Sequence, residues 1–313
     1  MKNILVTGGS GFIGSNLAFE LEKRYPNTNI TVMDDFRGSS FKNLLGFKGD
    51  VLASNVADQD WLKTFEAKPL DVIFHLASIT DTTVLDERKM MYDNVEGFRN
   101  ILQLACDKKA DVIYASSAAV YGTQDTPMKE SDAGQPNNIY GFSKWIMDNL
   151  ARQYKDEIKV VGLRYFNVFG PGEFYKGPAA SMIYQLYCQM KQGKRPRVFK
   201  FGEQKRDFIY VKDVVQATIQ ARESKENTVL NIGTGTPTSF NEVIEALNEA
   251  LGTHLEPDYF DNPYDFYQNF TQADMTHTKK TIGFSNRYST REGILDYVRQ
   301  YLLTQDKKNP CCS

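Results

Sequence analysis

The sequence predicts an α/β protein built on a doubly wound parallel sheet, with a smaller C-terminal α/β lobe. Three observations carry that expectation. Short apolar runs at residues 3–7, 30–34, 72–76, 111–115 and 159–165 alternate with helical patterns near residues 13–23, 61–66, 94–106 and 140–154. The runs are apolar nearly throughout, as strands covered on both faces must be. The first run leads through a glycine-rich turn directly into a helical pattern, and strand, tight turn and helix in that order form the opening of a nucleotide-binding sheet.

The elements follow in order. Residues 3–7 form the first strand and residues 13–23 the first helix. Residues 30–34 end in acidic Asp34, and a third strand is presumed just before Asn55. Residues 72–76 end in the small residues that follow Leu76, and residues 111–115 lead into Ser116 and Ser117. Past Gly170 the rhythm changes to a loop rich in glycine, proline and aromatic residues. A helix follows at residues 180–192, then a basic stretch from Lys191 to Lys200 that reads as a solvated helix end. Residues 229–232 return to the sheet, with Asn231-Ile232-Gly233-Thr234-Gly235 as a strand ending in a tight turn. The expected organisation is a nucleotide-binding domain over residues 1–170, completed by segments near 206–235, and an interleaved substrate lobe over residues 171–313.

Bulk properties narrow the class. The 313 residues are 41% hydrophobic and 24% charged, with a net charge of −2. That balance gives no attraction to nucleic acid or to an anionic membrane. No apolar run approaches the roughly 20 residues needed to span a bilayer. The chain enters its first strand at Asn3, which leaves no room for a signal peptide. Cys106, Cys188 and the adjacent Cys311 and Cys312 have neither metal spacing nor a disulfide framework. The expectation is a soluble cytoplasmic protein without a metal.

The turn Val6-Thr7-Gly8-Gly9-Ser10-Gly11-Phe12-Ile13-Gly14 supplies the first chemistry. Gly8 allows the tight turn, Gly11 lets a pyrophosphate approach the backbone, and Gly14 permits close packing of the helix. Phe12 and Ile13 open the helix whose N-terminus favours anions. Asp34 and Asp35 lie where a carboxylate would bond a free ribose 2′-hydroxyl, favouring NAD. Arg37 and Lys42 follow closely and could pair with a 2′-phosphate, favouring NADP. The residues leave that choice open. Asn55 and Val56 are candidates for the adenine pocket, and Leu76, Ala77 and Ser78 provide small side chains along the cofactor's path. His75 just before them reads as a buried, hydrogen-bonded histidine rather than a catalyst.

Tyr140 and Lys144 stand four residues apart in a helical pattern, so they share a face. A neighbouring ammonium favours phenolate and is expected to pull Tyr140 down from a reference pKa of about 10. Such a phenol can move the proton of an alcohol while its hydride goes to a nicotinamide.

The glycine turn, Ser116-Ser117-Ala118-Ala119-Val120-Tyr121-Gly122 and Tyr140-x-x-x-Lys144 together resemble the extended short-chain dehydrogenase/reductase family. Arg164-Tyr165-Phe166-Asn167 with Gly170-Pro171, and Arg206-Asp207-Phe208 with Asp213, strengthen the likeness, which spans nearly the whole chain. It implies a Rossmann-type fold, a nucleotide-diphosphate sugar substrate, one tightly held nicotinamide cofactor per subunit and a homo-oligomeric assembly. It implies Ser117 as third member of a set with Tyr140 and Lys144, Ser116 beside the cofactor, and Asn94 as the amide that orders the active-site helix at the cofactor's edge. Downstream, Gly170-Pro171-Gly172-Glu173-Phe174-Tyr175-Lys176-Gly177 and Thr271-Gln272-Ala273-Asp274 resemble the members that invert C6 of an ADP-linked heptose. That resemblance favours NADP, although Asp35 and Ser40 replace the asparagine and lysine usual there. Inversion needs proton transfer on two faces, and the resemblance places Lys176 as the second acid/base beside Tyr140. It assigns sugar-nucleotide binding to Asn167, Lys176, Lys205, Arg206 and Tyr267. A 4-epimerase of UDP-hexoses or hexuronates is the alternative enzyme, and a silent NAD(P)-sensing regulator is the alternative of another class. A 4,6-dehydratase is disfavoured, because Ala118 and Ala119 follow Ser117 where those members carry Asp-Glu.

Overall fold

The computed structural model describes residues 2–81, 86–124, 126–262 and 270–306. The first half runs β1 (Asn3–Thr7), α1 (Phe12–Arg24), β2 (Asn29–Asp34), β3 (Asp50–Ala53) and β4 (Val72–His75). It continues with α2 (Glu87–Met91), α3 (Gly97–Lys108), β5 (Asp111–Ser117), α4 (Ile139–Gln153) and β6 (Val160–Tyr165). The second half contributes β7 (Asn167–Phe169), α5 (Met182–Lys191), β8 (Arg197–Phe199), β9 (Lys205–Arg206), β10 (Phe208–Tyr210) and α6 (Val211–Gln220). Then come β11 (Thr228–Ile232), β12 (Thr238–Ser239), α7 (Phe240–Leu251), β13 (Asp258–Phe260), α8 (Thr276–Ile282) and α9 (Thr290–Asp296).

Seven strands form one parallel sheet in the order β11-β6-β5-β4-β1-β2-β3. The chain winds outward from β1 in one direction and then, from β4 onward, in the other. The strand order therefore reverses beside β1, where open α/β sheets bind ligands. As expected from residues 229–232, β11 crosses back from the second half and pairs with β6 from Thr228 to Ile232.

Side-chain alternation explains why the strands read as unbroken apolar runs. Ile4 and Val6 of β1, Val72 and Phe74 of β4 and Ile113 of β5 point into a core shared with α1, α5, α6 and α7. Leu5, Ile73, Val112 and Tyr114 point the other way, into a core with Phe98 and Ile101 of α3 and Met147 and Leu150 of α4. Two expected helices came out differently. Residues 61–66 make only a 3₁₀ turn, Asp60–Phe65, which buries Trp61 and Phe65. The helix expected from residue 94 begins at Glu87, because Asp86 caps it by accepting from Lys89 N at 2.9 Å. A π-helical turn, Tyr92–Glu96, then joins α2 to α3.

A buried polar network braces the sheet behind the site, and Tyr121 carries it into the second half by donating to Asn231 at 2.5 Å. Arg164 on β6 is 1% exposed and Asp148 on α4 is fully buried, and the two meet at 2.9 Å. Arg164 also donates to the Tyr121 hydroxyl and the Glu130 carbonyl, while Tyr114 donates to Asp148. Asp207 accepts four hydrogen bonds, from Thr234 N, Thr234 Oγ1, Gly235 N and Ala273 N, and so anchors the turn after β11. Four donors on one carboxylate explain why an acidic residue can be buried there. Cys311 and Cys312 lie outside the described residues.

Candidate active site

The glycine turn folds as its spacing demands. Gly8 has φ +67°, and a Cβ there would lie 2.6 Å from Ala77 N. A Cβ on Gly14 would lie 2.1 Å from Gly8 O, so Gly14 lets α1 close onto the turn itself rather than onto the strand. Gly11 stands at the N-cap of α1 with no side-chain cap, which leaves the helix N–H groups free for an anion.

Gly8, Gly11, Phe12, Ile13 and Gly14 line a cleft of about 580 Å³ at the C-terminal ends of the strands. Asp34, Asp35, Arg37, Asn55, Val56, Leu76, Ala77 and Ser78 line it as well, and so do Ser116, Ser117, Tyr140, Lys144 and Lys176. Lys42 does not; its Nζ lies 6.0 Å from the centroid of the Tyr175 ring. Asn94 stands behind the wall, accepting from Ile79 N and donating to Ser143 Oγ, which fits ordering of α4 better than cofactor contact. Asn167 is turned to the Asp207 carbonyl and the Thr271 hydroxyl, and Lys205 and Arg206 form a short antiparallel pair with β12. None of these three lines the cleft, and Tyr267 lies outside the described residues. His75 is buried, bonds Thr7 through Nδ1 and stacks on Phe98; burial pushes its pKa down to about 3, so it stays neutral.

Asp34 accepts from Ser10 N, Phe36 N and Ser39 Oγ. It therefore staples the glycine turn to the loop after β2 and spends its lone pairs on the protein. Asp35 holds Arg37 through Nε at 2.7 Å, and Arg37 also reaches Asp93 at 3.1 Å. Asp93 and Lys89 line this end of the cleft too. Neither stood out in the sequence, because Asp93 meets Arg37 and Asn55 only across the fold.

Tyr140 reaches the site through a glycine contact that spacing alone did not reveal. Asn138 caps α4 by accepting from Gly141 N, and a Cβ on Gly141 would lie 2.5 Å from Ala119 O. The bare Gly141 thus lets α4 press against the 3₁₀ turn Ala118–Tyr121, and Tyr140 hydrogen-bonds Ser117. Ser117 also accepts from Ala119 N, so it caps that turn while facing the cleft. Ser116 Oγ is buried in the cleft wall without a partner among the described residues.

One electrostatic expectation is corrected. Lys144 is 1% exposed and donates from Nζ to the Ala115 carbonyl at 2.9 Å, with Nζ 5.9 Å from the Tyr140 ring centroid. Burial pushes its pKa down to about 7, against a counter-pull from Asp148. Burial likewise raises the Tyr140 phenol, and its hydrogen bond with Ser117 offsets only part of this. In the protein alone Tyr140 is therefore a neutral phenol.

Lys176 sits in the loop after β7. Gly172 there has φ +96°, and Asn16 of α1 and Asn43 of the 3₁₀ turn after β2 hold the loop through the carbonyls of Pro171 and Gly172. Buried Glu173 clamps its ends by accepting from Gly170 N and from the backbone and hydroxyl of Ser181. Lys176 Nζ then lies 5.7 Å from the Phe12 ring centroid. Burial lowers its pKa, opposed by the charge of Glu173.

A doubly wound sheet with a glycine-turn anion cradle and a Ser117–Tyr140–Lys144 set defines a class of nucleotide-dependent epimerases and dehydratases. The chain belongs to the NAD dependent epimerase/dehydratase family, whose model matches residues 4–233. It is similar to the ADP-L-glycero-D-manno-heptose-6-epimerase of Alkalilimnicola ehrlichii, with 37% identity over 293 residues, covering 88% of this chain and 90% of that protein. Among solved structures it resembles the ADP-L-glycero-D-manno-heptose-6-epimerase of Helicobacter pylori, at 40% identity and TM-score 0.90 over 96% of each chain. It also resembles the UDP-glucuronic acid 4-epimerase of Bacillus cereus, solved in complex with UDP-glucuronic acid and NAD, at 27% identity and TM-score 0.83, covering 95% of this chain and 99% of that one.

Proposed function

We propose that the protein inverts C6 of ADP-D-glycero-D-manno-heptose by transient oxidation to a 6-keto sugar and reduction from the other side. The observation that carries this reading is Lys176: a second proton carrier, partly desolvated, lines the same cleft as Tyr140. The similarity to two heptose epimerases supports the substrate.

The cleft's residues fit a nicotinamide dinucleotide. Its pyrophosphate would rest on the uncapped N–H groups of α1, its adenine beside Asn55 and Val56, and its ribose near Lys144 and the unpartnered Ser116 hydroxyl. When bound, an oxidised nicotinamide would take the C6 hydride and later return it, and its positive ring would favour phenolate at Tyr140.

The chain's own groups manage the proton and the pose. Tyr140 would accept the C6 hydroxyl proton as the C6–H bond breaks, while Ser117 holds that oxygen. Turning the keto group presents its opposite face, and protonated Lys176 would then donate to the oxygen as the new C–H bond forms. For the reverse isomer the two residues exchange roles. Lys144 would orient the cofactor ribose and keep positive charge near the phenol. The chain after Gly170 would supply most of the sugar-nucleotide pocket, with Asn167, Lys205 and Arg206 reaching the substrate after rearrangement and Tyr267 binding it as well. A cytoplasmic homo-oligomer is the proposed form.

NMR of the purified protein with ADP-D-glycero-D-manno-heptose tests the reading, with inversion at C6 as the expected result. Inversion at C4 of a UDP-hexose or UDP-hexuronate, with the heptose untouched, would contradict it. Bound dinucleotide without turnover of any sugar nucleotide would favour the sensing role instead.

A further inference from the structure

We propose that Asp93 sets the dinucleotide preference of this cleft toward NAD, by holding the two cations at the adenosine-ribose end so that neither is free to pair with a 2′-phosphate. The inference rests on the reading above only in that the cleft takes a nicotinamide dinucleotide. It runs against the preference for NADP that the sequence resemblance implied.

Asp93 lies on the π-helical turn between α2 and α3, and its side chain is 5% exposed. One carboxylate oxygen accepts from Arg37 Nη1 at 3.1 Å and from Lys89 Nζ at 2.9 Å. The other accepts from Asn55 Nδ2 at 3.1 Å. Arg37 is gripped on its other edge by Asp35, which takes Nε at 2.7 Å and Nη2 at 2.5 Å. Asp35, Arg37, Asn55, Lys89 and Asp93 all line the cleft, at the end of β2 where this fold places the ribose. Burial would raise the Asp93 carboxyl, but the bonds from Arg37, Lys89 and Asn55 outweigh it and hold it below the usual range. The group stays ionised.

Two carboxylates thus balance two cations within the wall itself. A 2′-hydroxyl can donate to Asp35 without disturbing that balance. A 2′-phosphate brings two negative charges to a wall whose cations are already paired, and would have to break those pairs or face the carboxylates. Asp93 is therefore a specificity residue contributed by α2–α3 rather than by the end of β2.

Fluorescence titration of the purified protein with NADH and NADPH, with mass spectrometry of any dinucleotide that co-purifies, tests this. The wild type is expected to hold NADH at least about tenfold more tightly than NADPH. Asp93→Asn frees Lys89 and one edge of Arg37 and should shift that ratio toward NADPH by about tenfold. Asp93→Ser, which removes the charge but keeps a small polar side chain, should shift it in the same direction and decides the matter if the first variant does not fold. A wild type that prefers NADPH, or a ratio that folded variants leave unchanged, overturns the inference alone. Failure to bind either dinucleotide overturns the nicotinamide reading with it.

Discussion

Lys144 donates its hydrogen bond to the carbonyl of Ala115, at 2.9 Å, and not to the Tyr140 hydroxyl one helical turn away. The i, i+4 spacing brings the two side chains to one face, but burial then dominates both. The ammonium loses proton affinity and the phenol gains it. Tuning of Tyr140 for base chemistry is thus left to what enters the cleft.

The first prediction follows from Lys144. Its folded pKa of about 7 lies below the ordinary lysine value of 10.5. Between those values the unfolded chain holds a proton that the folded chain lacks, so stability rises with pH across that window and is flat below it. The full shift corresponds to at most about 5 kcal/mol. Urea denaturation of the dinucleotide-free protein at pH 7 and pH 9, compared with Lys144→Met, should show the rise in the wild type and lose it in the variant.

Tyr140→Phe and Lys176→Met should each lower kcat for epimerisation by about 10²- to 10⁴-fold with the fold intact. Steady-state kinetics in both directions checks this, alongside circular dichroism. Because each residue serves a different face, the double variant should fall little further than either single one in full turnover.

Gly141→Ala places a methyl group 2.5 Å from the Ala119 carbonyl. It should push α4 off the turn that carries Ser117 and lower kcat about 10²-fold, as a displacement of about 1 Å at a reacting group does. The expected signature is a loss of kcat larger than any change in dinucleotide affinity.

Asp148→Ala leaves Arg164 charged and Tyr114 unpaired inside the protein. Removing one partner of a buried ion pair should cost about 3–5 kcal/mol, read as a lower urea midpoint at an unchanged slope.

What the sequence disclosed was local. The apolar runs located the sheet strands because both faces are buried, and the glycine spacing located the turn because Gly8 and Gly14 answer to contacts within or beside it. Tyr140 and Lys144 were visible as residue types at a fixed offset, and Ser117 only through the family resemblance. The charge network of Asp35, Arg37, Lys89 and Asp93 was not, because it depends on the end of β2 meeting a turn more than fifty residues later, at Asp93. The clamp on Lys176 was hidden for the same reason: Asn16 and Asn43 act on Pro171 and Gly172 across long loops. The direction of the Tyr140 shift was misread because spacing reports a shared face and says nothing of burial.

The central claim is that hydrogen leaves C6 and returns to the same carbon without meeting solvent. Epimerisation of ADP-D-glycero-D-manno-heptose in D₂O, followed by NMR at C6, tests it most directly. The account predicts inversion at C6 with the original hydrogen retained there. Deuterium at C6 of the inverted product, or a C6 configuration that never changes while another centre does, would contradict it.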